Sequence, residues 1–238
     1  IIEELYLTDL SDDGEETENS QFYFQLLQKS FSLTNNELPT NIDNNAEGWG
    51  LPSKWRPEGY IKVWDDVANK NIPLQGAKVR ARFWFNISSS FTAPNGHFRL
   101  SRFRYPVNYS IKWETYQYDV RTNFGYQALY NGPRLKGNWN LNITGGKSLG
   151  FATVHRGAYR YHYKNRGGLQ SPKPYFRLNI KYVHKDGTGV NFGNNWQLSF
   201  FNNIKVWGLN GTQRQKTDEI LSTTIHELAH SSHIKSRQ

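Results

Sequence analysis

The stretch from Gly59 to Arg121 limits the fold most, because its side chains alternate with a period of two and its apolar runs are short. Tyr60, Lys62 and Trp64 alternate with Ile61, Val63 and Asp65. A turn at 69–71 leads into Pro73-Leu74-Gln75-Gly76-Ala77. Residues 78–85 read as one long strand with Val79, Ala81, Phe83 and Phe85 on one face. Phe91 and Thr92 open another piece, and Pro94-Asn95-Gly96 reads as a tight turn. Phe98 and Leu100 then alternate with His97 and Arg99. Tyr109, Ile111 and Trp113 mark a further strand, and residues 116–121 another. Short strands punctuated by turns predict an all-β sandwich. Aromatics at 15% of the chain supply its core and favour strands over helices.

Three pieces of this stretch resemble the carboxypeptidase regulatory-like (transthyretin-like) β-sandwich family. They are Gly59-Tyr60-Ile61-Lys62-Val63-Trp64-Asp65, Ile72-Pro73-Leu74-Gln75-Gly76-Ala77-Lys78-Val79 and Thr92-Ala93-Pro94-Asn95-Gly96-His97-Phe98-Arg99-Leu100. The resemblance covers residues 58–122. It implies a small accessory sandwich of secreted or cell-surface proteins, without catalysis of its own.

Charge divides the chain. Residues 1–50 hold eleven acids and one base, whereas residues 51–238 hold 28 bases and 9 acids. Residues 1–57 are therefore expected to form an acidic, solvated lead-in, with a short amphipathic helix at 21–33 and a linker. Basic residues interleave with aromatics at 99–113, a pattern that can bind nucleic acid. Here the bases alternate with core aromatics, as on the solvated face of a sheet, so no nucleic-acid partner is expected. There is no cysteine and no run of eighteen apolar residues, so neither a disulfide framework nor a membrane span is expected.

Gly- and Asn-rich sequence at 123–147 suggests a boundary between a sandwich at 58–142 and a second domain at 148–238. In the second domain a helix is expected from Leu149, burying Phe151, Val154, His155, Ala158 and His162 and stopped by Gly167-Gly168. Strands are expected around Phe176–Val183, Trp196–Phe200 and Ile204–Val206.

A motif helix follows, with His226-Glu227-Leu228-Ala229-His230 at its centre. Thr217 reads as its N-cap, with Asp218 and Glu219 in the first turn. Leu221, Ile225, Leu228 and Ser232 form the expected apolar stripe. Histidines at i and i+4 share one helix face and can both reach one zinc ion. Glu227 is the candidate general base for a metal-bound water.

This order of helix, strands and motif helix resembles the N-terminal half of a zincin metallopeptidase domain. The resemblance implies an α+β domain at 148–238 whose edge strand binds a peptide substrate by strand addition. The fold expected overall is thus α+β, an all-β sandwich followed by a zincin-like domain.

A catalytic zinc takes three protein ligands. His233 is the candidate third within the chain, but it lies seven residues from His226, about 10.5 Å along a helix axis. It can join only if the helix breaks after His230. The third ligand is otherwise expected beyond Gln238, so the sequence reads as truncated. His97, His155, His162 and His184 are weaker candidates. The function expected is a Zn2+-dependent peptidase acting on a peptide or protein; the two resemblances together imply a bacterial protein, secreted or held at the cell surface, with a lipid anchor upstream as one arrangement. The alternative is a non-catalytic adhesion or glycan-binding protein.

Overall fold

The computed structural model describes residues 52–164, 177–186 and 203–235, together with Lys29. Residues 53–238 form a unit of their own. In this unit the chain runs through β1 (Glu58–Asp65), β2 (Lys70–Pro73), β3 (Lys78–Phe83), β4 (Asn86–Phe91), β5 (His97–Arg99) and β6 (Val107–Lys112). It continues through β7 (Tyr118–Thr122), β8 (Leu129–Leu135), β9 (Leu141–Ile143), α1 (Gly146–Tyr163), β10 (Leu178–Asp186), β11 (Asn203–Asn210), β12 (Gln213–Arg214) and α2 (Thr217–Lys235).

Three sheets result. One has the order β2-β1-β5, with β9 also pairing β1. The second, β4-β3-β6-β8, is antiparallel throughout. The third has the order β12-β11-β10-β7, and its strands β7, β10 and β11 run parallel. The alternation read from the sequence sets the inward faces. Ile61 and Val63 of β1, Val79 and Ala81 of β3, and Tyr109 and Ile111 of β6 are buried. Phe98, Tyr109 and Trp139 meet edge-on or tilted in the same core. Trp139 also explains a glycine inside β8, since a Cβ on Gly132 would come within 2.7 Å of the indole.

The helices pack beside the parallel sheet, with α1 against β10 and β7 and α2 against β11 and α1. Tyr182 of β10 fixes this arrangement. Its ring lies against Gly150 of α1 and Gly208 of β11, and a side chain at either glycine would collide with it. The face of α1 expected to be buried is buried, from Phe151 through His162.

The structure overturns the expected fold class. The chain is mainly β, with strands in several sheets and two helices over the described elements, rather than an α+β zincin domain behind an accessory sandwich. The order helix, strand, motif helix is a local pattern and does not dictate which strands pair. Here β10 pairs with β7, which precedes the 123–147 stretch, so a single sheet spans the division expected at 142–148. That Gly- and Asn-rich stretch itself contributes β8 and β9. Residues 78–85 also differ from the single strand expected. The chain turns at Trp84-Phe85, and Phe83 pairs with Asn86 across a two-residue hairpin. The expected helix at 21–33, the strand at 196–200 and the stop at Gly167-Gly168 lie outside the described residues.

Where α1 meets β7 and the link between β2 and β3, His155 is fully buried. Its Nε2 lies 3.1 Å from the Gln75 carbonyl and its Nδ1 3.0 Å from the Tyr118 hydroxyl. A neutral ring satisfies both, with Nε2–H donating to the carbonyl and Nδ1 accepting from the phenol. Burial pushes its pKa down to about 4, although the Gln75 carbonyl favours the protonated ring. The unfolded chain therefore takes up a proton between pH 6.5 and 4 that the folded chain refuses, and stability falls as pH falls through that window. The loss amounts to about 3 kcal/mol. Urea denaturation at several pH values is expected to show this slope in the wild type and a flatter one in His155→Gln. Equal slopes would remove His155 as the cause.

Candidate metal centre

The motif helix is anchored before the motif begins. After β11 the chain turns at Gly211 and pairs back through β12, and the Gln215 N–H donates to the Gly208 carbonyl. The Lys216 carbonyl accepts from the Ile220 N–H, and the Glu219 carboxylate reaches back to the Lys216 N–H at 2.6 Å. That is half of a capping box, with Lys216 rather than Thr217 as the cap. Thr217 is the first residue inside the helix, and its N–H donates to Asp66 Oδ1 at 2.9 Å.

Asp66 follows the last residue of β1, and its second oxygen accepts from Arg214 at 2.5 Å. The neighbouring Asp65 accepts from Arg156 of α1 at 2.8 Å and from the Val67 and Ala68 N–H groups. Burial alone would raise both carboxyls. The donors outweigh it: Thr217 and Arg214 hold Asp66, and Ala68 and Arg156 hold Asp65, below the usual carboxylate range. Two adjacent carboxylates thus tie both helices to the end of one strand.

The buried stripe of α2 consists of Thr217, Ile220, Thr224, Glu227 and Leu228, whereas Leu221 and Ile225 are half-buried. The helix is therefore turned relative to the expected stripe. Gly157 of α1 explains the turn, because it leaves room for Thr224, whose Cβ would lie 3.0 Å from any Cβ at that position. Thr224 satisfies its hydroxyl internally by donating to the Ile220 carbonyl at 2.7 Å.

His226 and His230 stand on the exposed side of α2. Their Nε2 atoms converge to 2.8 Å, with the rings nearly perpendicular and centroids 4.4 Å apart. The structure therefore brings together the two residues expected as ligands. Glu227 sits at the border between this side and the buried stripe and is 4% exposed. Its Oε2 is buried without a hydrogen-bond partner. Burial pushes its pKa above the usual carboxylate value, against the pull of the two imidazoles.

α2 continues unbroken to Lys235, so the break that His233 would need is absent, and the His233 side chain lies outside the described atoms. Among the described residues no group of three or more His, Cys, Asp or Glu is placed to hold a metal ion. His155 and His162 belong to an aromatic cluster with Tyr118, His97 packs on Tyr60, and His184 lies near the Tyr182 hydroxyl. Sequence reasoning missed Asp66. The only signal for it was a pair of acids closing a strand in a stretch otherwise poor in acids.

No family model matches the chain, and no curated protein matches it. Among solved structures it is similar to the crystal structure of a 9R-lipoxygenase from Cyanothece PCC8801, at 12% identity and a TM-score of 0.23. The match covers 51% of this chain and 20% of the lipoxygenase chain. A superposition this loose defines neither fold nor function.

Because folding favours the protonated form of Glu227, its contribution to stability is lost as pH rises through its elevated pKa. In metal-free protein, Glu227→Gln is expected to raise the Tm at pH 7 by roughly 2–4 °C. The gain should vanish near pH 4, where the wild-type carboxyl is itself protonated. Calorimetry with a chelator present measures both, and a gain independent of pH would show that the Glu227 charge is not the cause.

Proposed function

We propose that the chain carries a zinc-dependent peptidase centre in which His226 and His230 hold the metal and Glu227 is the general base. The observation that carries this reading is the convergence of the two Nε2 atoms on the exposed side of α2, beside a buried carboxylate with an unpartnered oxygen. Two neutral nitrogen donors suit zinc, and an adjacent carboxylate outside the ligand pair suits proton transfer. A third protein ligand from outside the described residues completes the set.

Held by His226 and His230, a zinc ion would supply a Lewis acid for a scissile carbonyl and lower the pKa of water at the site. The chain's own part can be followed residue by residue. Both imidazoles must present unprotonated Nε2 atoms, so metal uptake weakens in acid. The two rings lie at 85° to each other, and their Nε2 atoms share a 2.8 Å contact that a metal ion would replace. Burial raises the Glu227 pKa above the usual carboxylate value, so it takes a proton more readily than an exposed carboxylate and can return it to a leaving amine. The substrate class is a peptide or protein.

The second reading, adhesion or glycan binding, draws on Tyr116, Phe124 and Tyr126, which are exposed beside β7. Metal analysis together with peptide cleavage separates the two. Wild type is expected to hold zinc and cleave. Glu227→Gln should keep the metal and lose roughly a hundredfold or more in kcat/KM, and His226→Ala should lose both. Zinc-loaded wild type that cleaves no peptide, with glycan binding that survives His226→Ala, would replace the peptidase reading with the second one.

A further inference from the structure

The turn joining β3 and β4 is built from residues that do not make turns. Two-residue hairpins of this kind favour glycine at the first position. Trp84 occupies it here, with a φ of 53°, in the left-handed region that disfavours any residue with a Cβ. Beside it Phe85 is 85% exposed, and Ile87, the first outward residue of β4, is 48% exposed. Half-buried Trp84 and exposed Phe85 and Ile87 thus gather at the turn, on a backbone that disfavours a Cβ at Trp84. Strain kept in a turn whose neighbouring Phe85 ring lies in solvent points to a role outside the fold.

The charge around the tip is one-sided. Strand register aligns Ile87, Arg82, Asn108 and Arg134 in one row across all four strands, on the outward face. Arg82 braces the turn by donating through Nε to the Trp84 carbonyl at 2.8 Å. Lys136 is exposed just past the end of β8. None of the four strands contains an acid, and the sequence has none from 67 to 113 or from 120 to 185. The outward positions of the two central strands carry Lys78, Arg80, Arg82, Asn108, Ser110 and Lys112.

We infer that the β3–β4 tip is a membrane-docking element that seats on an anionic lipid surface. Phe85 and Ile87 enter the boundary between headgroups and acyl chains, Trp84 lies at headgroup level, and Arg82, Arg134 and Lys136 meet the lipid phosphates. An apolar point ringed by cations matches the order of environments at such a surface, apolar inside and negative outside. Among the described residues no helix is long and apolar enough to cross a membrane. The docking element is independent of the peptidase reading.

Vesicle co-sedimentation of the full chain tests it, with phosphatidylcholine alone and phosphatidylcholine mixed with phosphatidylglycerol. Wild type is expected to bind the anionic vesicles and not the neutral ones. Trp84→Gly with Phe85→Asn installs ordinary turn residues, so the fold should persist by circular dichroism while binding weakens at least tenfold. Arg82→Ser with Arg134→Ser should weaken it to a similar degree and flatten its salt dependence. Phe124→Ser with Tyr126→Ser, exposed aromatics outside the tip, should leave binding intact. Equal binding by the turn variant would overturn the assignment, as would an equal loss in the Phe124 and Tyr126 variant. Binding to heparin that needs Arg82 and Arg134 but not Phe85, without binding to vesicles, would also overturn it and assign the face to a soluble polyanion.

Discussion

The adjacent carboxylates of Asp65 and Asp66 fix the geometry on which the candidate centre depends. Each is partly buried and each remains charged because its donors are in place: Arg156, Val67 and Ala68 for one, Arg214 and Thr217 for the other. A hydrogen bond to a charged group contributes about 1.5–3 kcal/mol, more than a neutral one. The effect here is directional as well as energetic. α1 is held through Arg156, and α2 through the first N–H of its first turn. With one end of α2 pinned and Thr224 seated against Gly157, the helix has no freedom to rotate about its axis. The outward histidines and the inward Glu227 follow from that fixed rotation.

That rotation places a carboxylate where it is poorly solvated. A helix turned so that Leu221 and Ile225 faced inward, as the apolar pattern suggests, would bury more carbon and leave Glu227 in water. The observed rotation buries Thr224 and Glu227 instead, and Thr224 must bond its hydroxyl to its own helix to be tolerated. A local preference yields at the residues proposed to carry the chemistry, and the pinned first turn together with the Gly157 slot compensates for it. The cost to folding and the raised pKa of Glu227 have one cause, loss of water around the charge.

What could be read from the sequence was what is encoded locally. Period-two alternation located β1, β5 and β6 and their buried residues, because each strand's faces are set by its own pleat. The spacing of His226 and His230 placed both on one helix face, since one turn of helix settles it. The misreadings involve partners distant in the chain. Trp84-Phe85 has strand composition and no turn chemistry, so nothing local announced a hairpin. Gly132 looked like loop sequence because the indole of Trp139 that lies against it enters seven residues later. The fold class failed for the same reason: β7 and β10 pair in parallel across a crossover that includes β8, β9 and α1, and neither strand's own sequence names the other.

The distribution of acids sharpens the case for Glu227. Residues 51–238 contain only nine, against 28 bases. Among those described, Asp65, Asp66, Glu114 and Asp119 are paired with arginine or lysine, Glu58 lies 3.7 Å from Arg99, and Glu219 caps its helix. In a body with about three bases to every acid, a carboxylate that needed a cation would find one easily. Among the described residues, Glu227 is buried, and His226 and His230 are the groups whose electrostatic pull opposes the effect of its burial. Its surroundings favour the group that can exchange a proton over the group that merely holds a charge, which is the property a general base requires.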